Sequence, residues 1–280
     1  MHTYILLFQC YDQKGIVAKI SDFIFRHNGN IITADQHTTD PQGGYFFMRV
    51  EFMIEQDLTE KTALDNDFSS VAKEFNAGWK IYDRDARLRM GICVSRPGHC
   101  LAEILYLWKT NDLAVDIPFV MSNFSEHREL VEQYKIPFYF LAAKKDERKE
   151  ADLLQLAAEK ADFLVLARYM LVLSGEFLRN YSKDIINIHH GFLPSFKGAR
   201  PYHQALQEGV KIIGATAHFV TDKLDVGPII FQAVQAVSHK DDLDDLVRKG
   251  KKLEKRALSE AISAYIDYRI IQHNCKTIVF

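Results

Sequence analysis

The stretch NIHHGFLPSFKGARPYHQA, residues 187–205, ends a β-branched run on an amide and two imidazoles and continues into a loop of prolines, aromatics and glycines. Side chains alternate faces along a strand, so Asn187 and His189 share a side. His190 is expected on the opposite side, in a structural role. An amide that donates to a developing oxyanion and an imidazole that moves a proton are two of the three parts that acyl transfer requires. The third would be a carboxylate, and TDKLDVGPII offers Asp222 and Asp225 between two apolar runs, Asp225 just ahead of Gly227-Pro228. Either aspartate could hold a water or orient the histidine; the alternative for each is a turn residue accepting backbone hydrogen bonds.

These residues need a scaffold. The first 85 residues read strand, helix, strand, strand, helix, strand. TYILLFQC is a buried strand, and Ile16, Ile20, Phe23 and Ile24 fall on one helical face that closes at Asn28-Gly29. DPQGG is a hairpin turn between NIITADQHTT and YFFMRVEF. In the latter, Phe46, Met48, Val50 and Phe52 alternate with Phe47, Arg49 and Glu51, as in a sheet covered on one face. A helix near 59–75 and the strand WKIYDR complete a βαββαβ, ferredoxin-like unit.

From Leu88 strands and helices alternate: RMGICVS, DIPFVMS, FYFLAA, FLVLA and DIINIH are strands separated by helical patterns. This predicts an α/β fold with a doubly wound, mostly parallel sheet. IIGATAHFVT and VGPIIFQAVQAV follow each other directly, which predicts antiparallel pairing, and a final helix carries Leu243, Leu246, Leu253, Ala257, Leu258, Ala261 and Ile262. The charged DRDARLR marks the boundary, giving domains at 1–85 and 86–280. In such a sheet the crevice beyond the carboxyl strand ends binds the ligand, and the strand end holding Asn187 and His189 lies there.

The bulk properties narrow the partners. A chain of 280 residues with a net charge of −2 gives no electrostatic reason to bind nucleic acid or an anionic membrane. No apolar run approaches the length of a membrane helix, and the N-terminus enters a strand without a signal-peptide pattern. The four cysteines, Cys10, Cys93, Cys100 and Cys275, lack metal-ligand spacing and are expected as reduced thiols in a cytoplasmic protein.

NIHHGFLPSFKGARPYHQA followed by LDVGPII resembles the signature of the 10-formyltetrahydrofolate-dependent formyltransferase family. That resemblance implies a catalytic trio of Asn187, His189 and Asp225. LARYMLVLS is similar to the family's pterin-pocket segment, making Met170, Leu171 and Leu173 substrate-binding candidates with a plain core role as the alternative, and His218 matches a supporting histidine. Arg168 and Lys197 are candidates for the glutamate tail of folate. Two positions depart from the family pattern: Gly191, where serine is expected, and Arg200, where asparagine is expected.

The stretch after the first strand of the second domain, CVSRPGHCLAEIL, has one glycine, Gly98. Glycinamide ribonucleotide formyltransferases carry a glycine- and serine-rich phosphate loop at that place. YDQKGIVAKISDFIFRHNGNI is similar to ACT modules, with Asp12 as a helix cap or effector contact and Gly15 as a tight turn or a point of close backbone approach to an effector. An ACT module ahead of a formyltransferase-like domain resembles the deformylase branch of the family over essentially the whole chain. The resemblance implies hydrolysis of 10-formyltetrahydrofolate to formate and tetrahydrofolate, with no separate cofactor and no metal. The ACT resemblance leaves open whether the module binds an amino-acid effector, with glycine and methionine as the candidates, and it implies a homo-oligomer. The alternatives are a formyltransferase with an unidentified amine acceptor and a non-catalytic folate or amino-acid sensor.

Overall fold

A computed structural model of the chain describes residues 1–40, 42–55, 61–142, 150–195 and 201–280. It divides into two compact units: Met1–Arg87 with Asp267–Ile271 and Ile278–Phe280, and Leu88–Ile266 with Gln272–Thr277. The sequence division at 85/86 leaves the whole C-terminal end with the second domain, whereas the contacts return 267–271 and 278–280 to the first unit.

The first unit runs β1 (His2–Tyr11), α1 (Ile16–Arg26), β2 (Asn30–Thr38), β3 (Tyr45–Ile54), α2 (Lys61–Glu74) and β4 (Gly78–Asp83). Its sheet has the order β2-β3-β1-β4 and is antiparallel throughout. Phe8, Phe23 and Phe68 meet edge to face in the core between sheet and helices. Burying each such ring contributes about 1.5–3 kcal/mol.

Helix α1 begins at Gly15, whose φ of 94° is a conformation glycine adopts without strain. Asp12 does not cap it; its Oδ2 accepts a bond from Thr38 Oγ1 at 3.0 Å. At the other end Asn28 takes the left-handed conformation, φ 53°, and Gly29 serves a different need. A Cβ on Gly29 would lie 2.9 Å from the carbonyl oxygen of Ile24 and 2.8 Å from its Cγ2.

The expectation that one face of the first sheet is covered is corrected by the C-terminal segment. Phe47 and Arg49 are buried, and Ile5, Leu7 and Phe47 pack with Ile271, Tyr268, Ile278 and Phe280. Arg49 donates to the backbone oxygens of Asp267 and Tyr268 at 3.1 and 3.2 Å and pairs with Glu51 at 3.1 Å. The last residues form a hairpin, β12 (Ile270–His273) and β13 (Lys276–Val279), turning at a left-handed Asn274.

The second unit holds a seven-stranded sheet in the order β11-β10-β9-β8-β5-β6-β7. Its strands are β5 (Arg89–Val94), β6 (Asp116–Ser122), β7 (Phe138–Phe140), β8 (Phe163–Leu166), β9 (Ile185–His189), β10 (Ile212–Phe219) and β11 (Ile229–Ala236). β5 to β9 pair in parallel and β9, β10 and β11 antiparallel, as the lack of a helix between the last two requires. The helices are α3 (His99–Lys109), α4 (Arg128–Gln133), α5 (Glu150–Lys160), α6 (Gly175–Tyr181), α7 (Pro201–Gln207) and α8 (Leu243–Ile266). α8 lays Leu246, Leu253, Ala257, Leu258, Ala261 and Ile262 against the sheet. No helix among the described residues is long and apolar enough to cross a membrane.

Candidate active site

Antiparallel register brings the first two functional side chains together. His218 on β10 is the partner of Asn187 on β9, and Thr216 the partner of His189. Asn187 Nδ2 lies 3.1 Å from His218 Nε2, and His218 Nδ1 lies 2.8 Å from the carbonyl oxygen of Phe219. A carbonyl only accepts, so Nδ1 of His218 carries its proton. Burial lowers the pKa of His218 and keeps it neutral, so its Nε2 accepts from Asn187 and fixes which way the amide points.

The carboxylate comes from the loop between β10 and β11. Asp225 adopts a left-handed φ of 55°, which aspartate tolerates better than most residues. Gly227 lets the loop fold this tightly, because a Cβ there would fall 1.7 Å from the carbonyl oxygen of Phe219. Oδ2 of Asp225 lies 3.3 Å from Nδ1 of the buried His189, and Oδ1 lies 3.8 Å from Nε2 of His218. The bond with His189 holds the Asp225 carboxyl below the usual carboxylate range, against the opposing effect of burial. Asp222 is exposed on the rim of the same cleft. Of the two aspartates left open by the sequence, only Asp225 pairs with the histidine among the described residues.

Asn187, His189, His218 and Asp225 line one cleft of about 310 Å³. Its apolar wall is the segment after β8, including Met170, Leu171, Val172 and Leu173. Leu173 also packs into the core, whereas Met170 and Val172 are each 55 % exposed and present apolar surface to the cleft. Ser95, at the end of β5, ties this wall down. Its hydroxyl accepts from the Met170 amide at 2.9 Å and donates to Asn123 Oδ1 at 2.7 Å, and its own amide donates to the Arg168 carbonyl at 3.2 Å. No motif signalled Ser95, because its task is to hold backbone.

His190 departs from expectation. Strand alternation stops at His189, and His190 turns into the cleft, its ring centroid 5.3 Å from that of His189. Burial, reinforced by the charge of Arg168, lowers its pKa to about 4. An unfolded imidazole takes its proton near pH 6.5, so between pH 6.5 and 4 the unfolded chain binds more protons and folding stability falls as pH drops. Across that window the loss is on the order of 3 kcal/mol. His190→Phe is expected to flatten this part of the curve of Tm against pH; parallel curves for the two proteins would contradict the assignment.

Arg168 does not reach outward for a glutamate tail: its Nε pairs with Glu254 at 3.3 Å and its side chain is largely buried. Lys197 and Arg200 lie outside the described residues, and the carbonyl of Gly191 accepts from Thr216 Oγ1 at 2.9 Å. In the first unit Gly15 borders a shallow pocket with Lys14, Lys19, Asp22 and Glu74, and Lys19 pairs with Glu74 at 3.0 Å. Asp12 is not part of that pocket's lining.

The sequence matches the Formyl transferase family over residues 88–262 and the ACT domain family over residues 4–68. Fold and cleft together therefore define a protein of the formyl transferase class that carries an ACT domain. A formyltetrahydrofolate deformylase of Bacillus subtilis is 44% identical over 98% of this chain and 93% of its own. The crystal structure of a formyltetrahydrofolate deformylase from Pseudomonas syringae pv. tomato superposes with a TM-score of 0.95 at 42% identity, covering 100% of this chain and 95% of that one. The chain belongs to the formyltetrahydrofolate deformylase family. A glycinamide ribonucleotide transformylase from Symbiobacterium toebii shares the fold at 29% identity and a TM-score of 0.65, over 69% of this chain and 94% of its own.

Proposed function

We propose that this chain hydrolyses 10-formyltetrahydrofolate to formate and tetrahydrofolate, with Asn187, His189 and Asp225 as its catalytic residues. The observation that carries the reading is the His189–Asp225 pair at 3.3 Å, facing the same apolar-walled cleft as Asn187. Asp225 against Nδ1 orients the imidazole and stabilises the cation that forms when His189 takes a proton from the attacking water. The hydroxide so generated adds to the formyl carbon. One N–H of Asn187 is held by His218, and the other donates to the formyl oxygen as it becomes an oxyanion. The tetrahedral adduct then breaks its bond to N10, which takes the proton from His189. Met170, Leu171 and Leu173 form the apolar wall for the pterin. The formyl group arrives on the substrate, and the chemistry asks for no separate cofactor or metal.

The experiment is formate release from 10-formyltetrahydrofolate with no amine present. Release by the protein supports the reading, and folate binding without release would replace it with a sensor or a transferase.

The ACT unit is assigned an amino-acid effector, glycine or methionine, at the pocket bordered by Gly15, and a part in homo-oligomer formation. A hydrolase that drains a one-carbon pool needs such a brake. Titrating either amino acid during formate release is expected to change the rate, and Gly15→Val to remove that response. A response left intact in the folded variant would move the effector site elsewhere. The four unpaired thiols suit a reducing compartment, and the cytoplasm is the proposed location.

A further inference from the structure

The strand order of the second unit reverses at β5. From there the chain proceeds to β6 and β7 on one side, then crosses to β8 and β9 on the other. The crevice between the carboxyl ends of β5 and β8 is therefore the switch point, where doubly wound sheets ordinarily take a ligand. Here side chains from the segments that follow both strands, His99 and Arg168, meet on one carboxylate.

His99, which opens α3 after β5, places Nε2 2.8 Å from Oε2 of Glu254. Arg168, in the segment after β8, places Nε 3.3 Å from the same oxygen, close enough for an ion pair though not aligned as a hydrogen bond. The Tyr202 hydroxyl donates to Oε1 at 2.6 Å. Glu254 reaches them from α8 and is 1 % exposed. Burial alone would raise its pKa, but the bonds from His99 and Tyr202 and the charge of Arg168 hold it below the usual range.

Two backbone features serve this arrangement. A Cβ on Gly250 would lie 2.0 Å from the Tyr202 hydroxyl, so α8 can seat the tyrosine only with glycine there. Arg168 holds a left-handed φ of 65°, a strained conformation for a residue with a Cβ. Buried ion pairs are a poor route to stability compared with apolar filling, and strained residues gather at functional sites. The cluster also touches the catalytic cleft: Arg168 and His190 line it, and the His190 ring lies 6.2 Å from that of Tyr202. His99, Cys100 and Glu254 bring ligating atoms within 4.8 Å of one another, but the guanidinium on Glu254 opposes a second cation there.

We propose that the Arg168–Glu254–His99–Tyr202 cluster is an acceptor plug, filling the space beside the formyl carbon where an amine nucleophile would sit and so confining attack to water. This rests on the hydrolytic reading above. A transformylase shares the fold of this unit, so the choice between water and amine resides in side chains and not in the sheet. Were an amine admitted, its nitrogen would bond to the formyl carbon, the bond to N10 would break, and the proton lost by the amine would pass through His189 to N10.

The test is the double variant R168G/E254Q. It removes both charges together, relieves the left-handed strain, keeps an amide for His99 and Tyr202, and opens the volume of an arginine side chain. Protein, 10-formyltetrahydrofolate and glycinamide are incubated, and N-formylglycinamide and formate are quantified by mass spectrometry. The ratio of formamide to formate is expected to rise about tenfold or more over wild type, the scale on which pocket shape discriminates. An unchanged ratio in a folded variant overturns the proposal. Should the double variant not fold, His99→Ala opens the crevice from the α3 side and is read by the same ratio, with the same two outcomes. Failure of the hydrolytic reading is distinguishable, because the wild type would then release no formate at all, and the plug would fall with it.

Discussion

Alanine in place of His189 is expected to lower kcat for formate release by about 10²- to 10⁴-fold, the range for a positioned general acid–base group. His189 is buried at the end of a central strand with its Nδ1 on Asp225, so its imidazole is held by the fold before substrate arrives. In the proposed mechanism the same residue takes a proton from water and returns it to N10, so both steps are expected to fail together without it. KM should move far less than kcat, because the apolar wall proposed for the pterin comes from a different segment. A second consequence is electrostatic. The His189 bond is the largest influence holding the Asp225 pKa down, so its loss leaves a partly buried carboxylate whose pKa rises. A folded His189→Ala protein with near-normal kcat would remove His189 from the mechanism.

Asn187→Ala is expected to cost about 10²- to 10³-fold in kcat with KM nearly unchanged, as for a lost oxyanion donor. The amide's orientation depends on two further groups: the Phe219 carbonyl sets the His218 tautomer, and His218 Nε2 then holds Asn187 Nδ2. The amide is thus oriented in advance, the condition under which an oxyanion donor accelerates a reaction. A rise in KM at unchanged kcat would mean instead that Asn187 binds ground-state substrate.

Much of this was legible because local chemistry and global fold agree. The periodicity of Ile16, Ile20, Phe23 and Ile24 defines α1, and the direct succession of two apolar runs after residue 211 defines the antiparallel β10 and β11. The spacing of Asn187 and His189 by two places both on one cleft, and Asp225 reaches them through the turn that Gly227 permits. What escaped the sequence depended on distant parts of the chain or on the end of a periodic element. Alternation does not continue past a strand's last residue, so His190 faces inward. Phe47 and Arg49 are covered by residues more than two hundred positions away, which no local pattern announces. Asp12 has the chemistry of a cap but bonds Thr38, and Arg168, suited by charge to a folate tail, is taken by Glu254 from α8.

The decisive measurement for the His189–Asp225 pair is formate release from 10-formyltetrahydrofolate in ¹⁸O-labelled water without any amine, comparing wild type with Asp225→Asn. Asparagine tolerates the left-handed φ of 55° at this position, so the fold is expected to survive while the carboxylate is lost. Wild type is expected to release formate carrying one labelled oxygen, and the variant almost none. Equal release from both would show that the His189–Asp225 pair is not the hydrolytic centre, and unlabelled formate would show that water is not the acceptor.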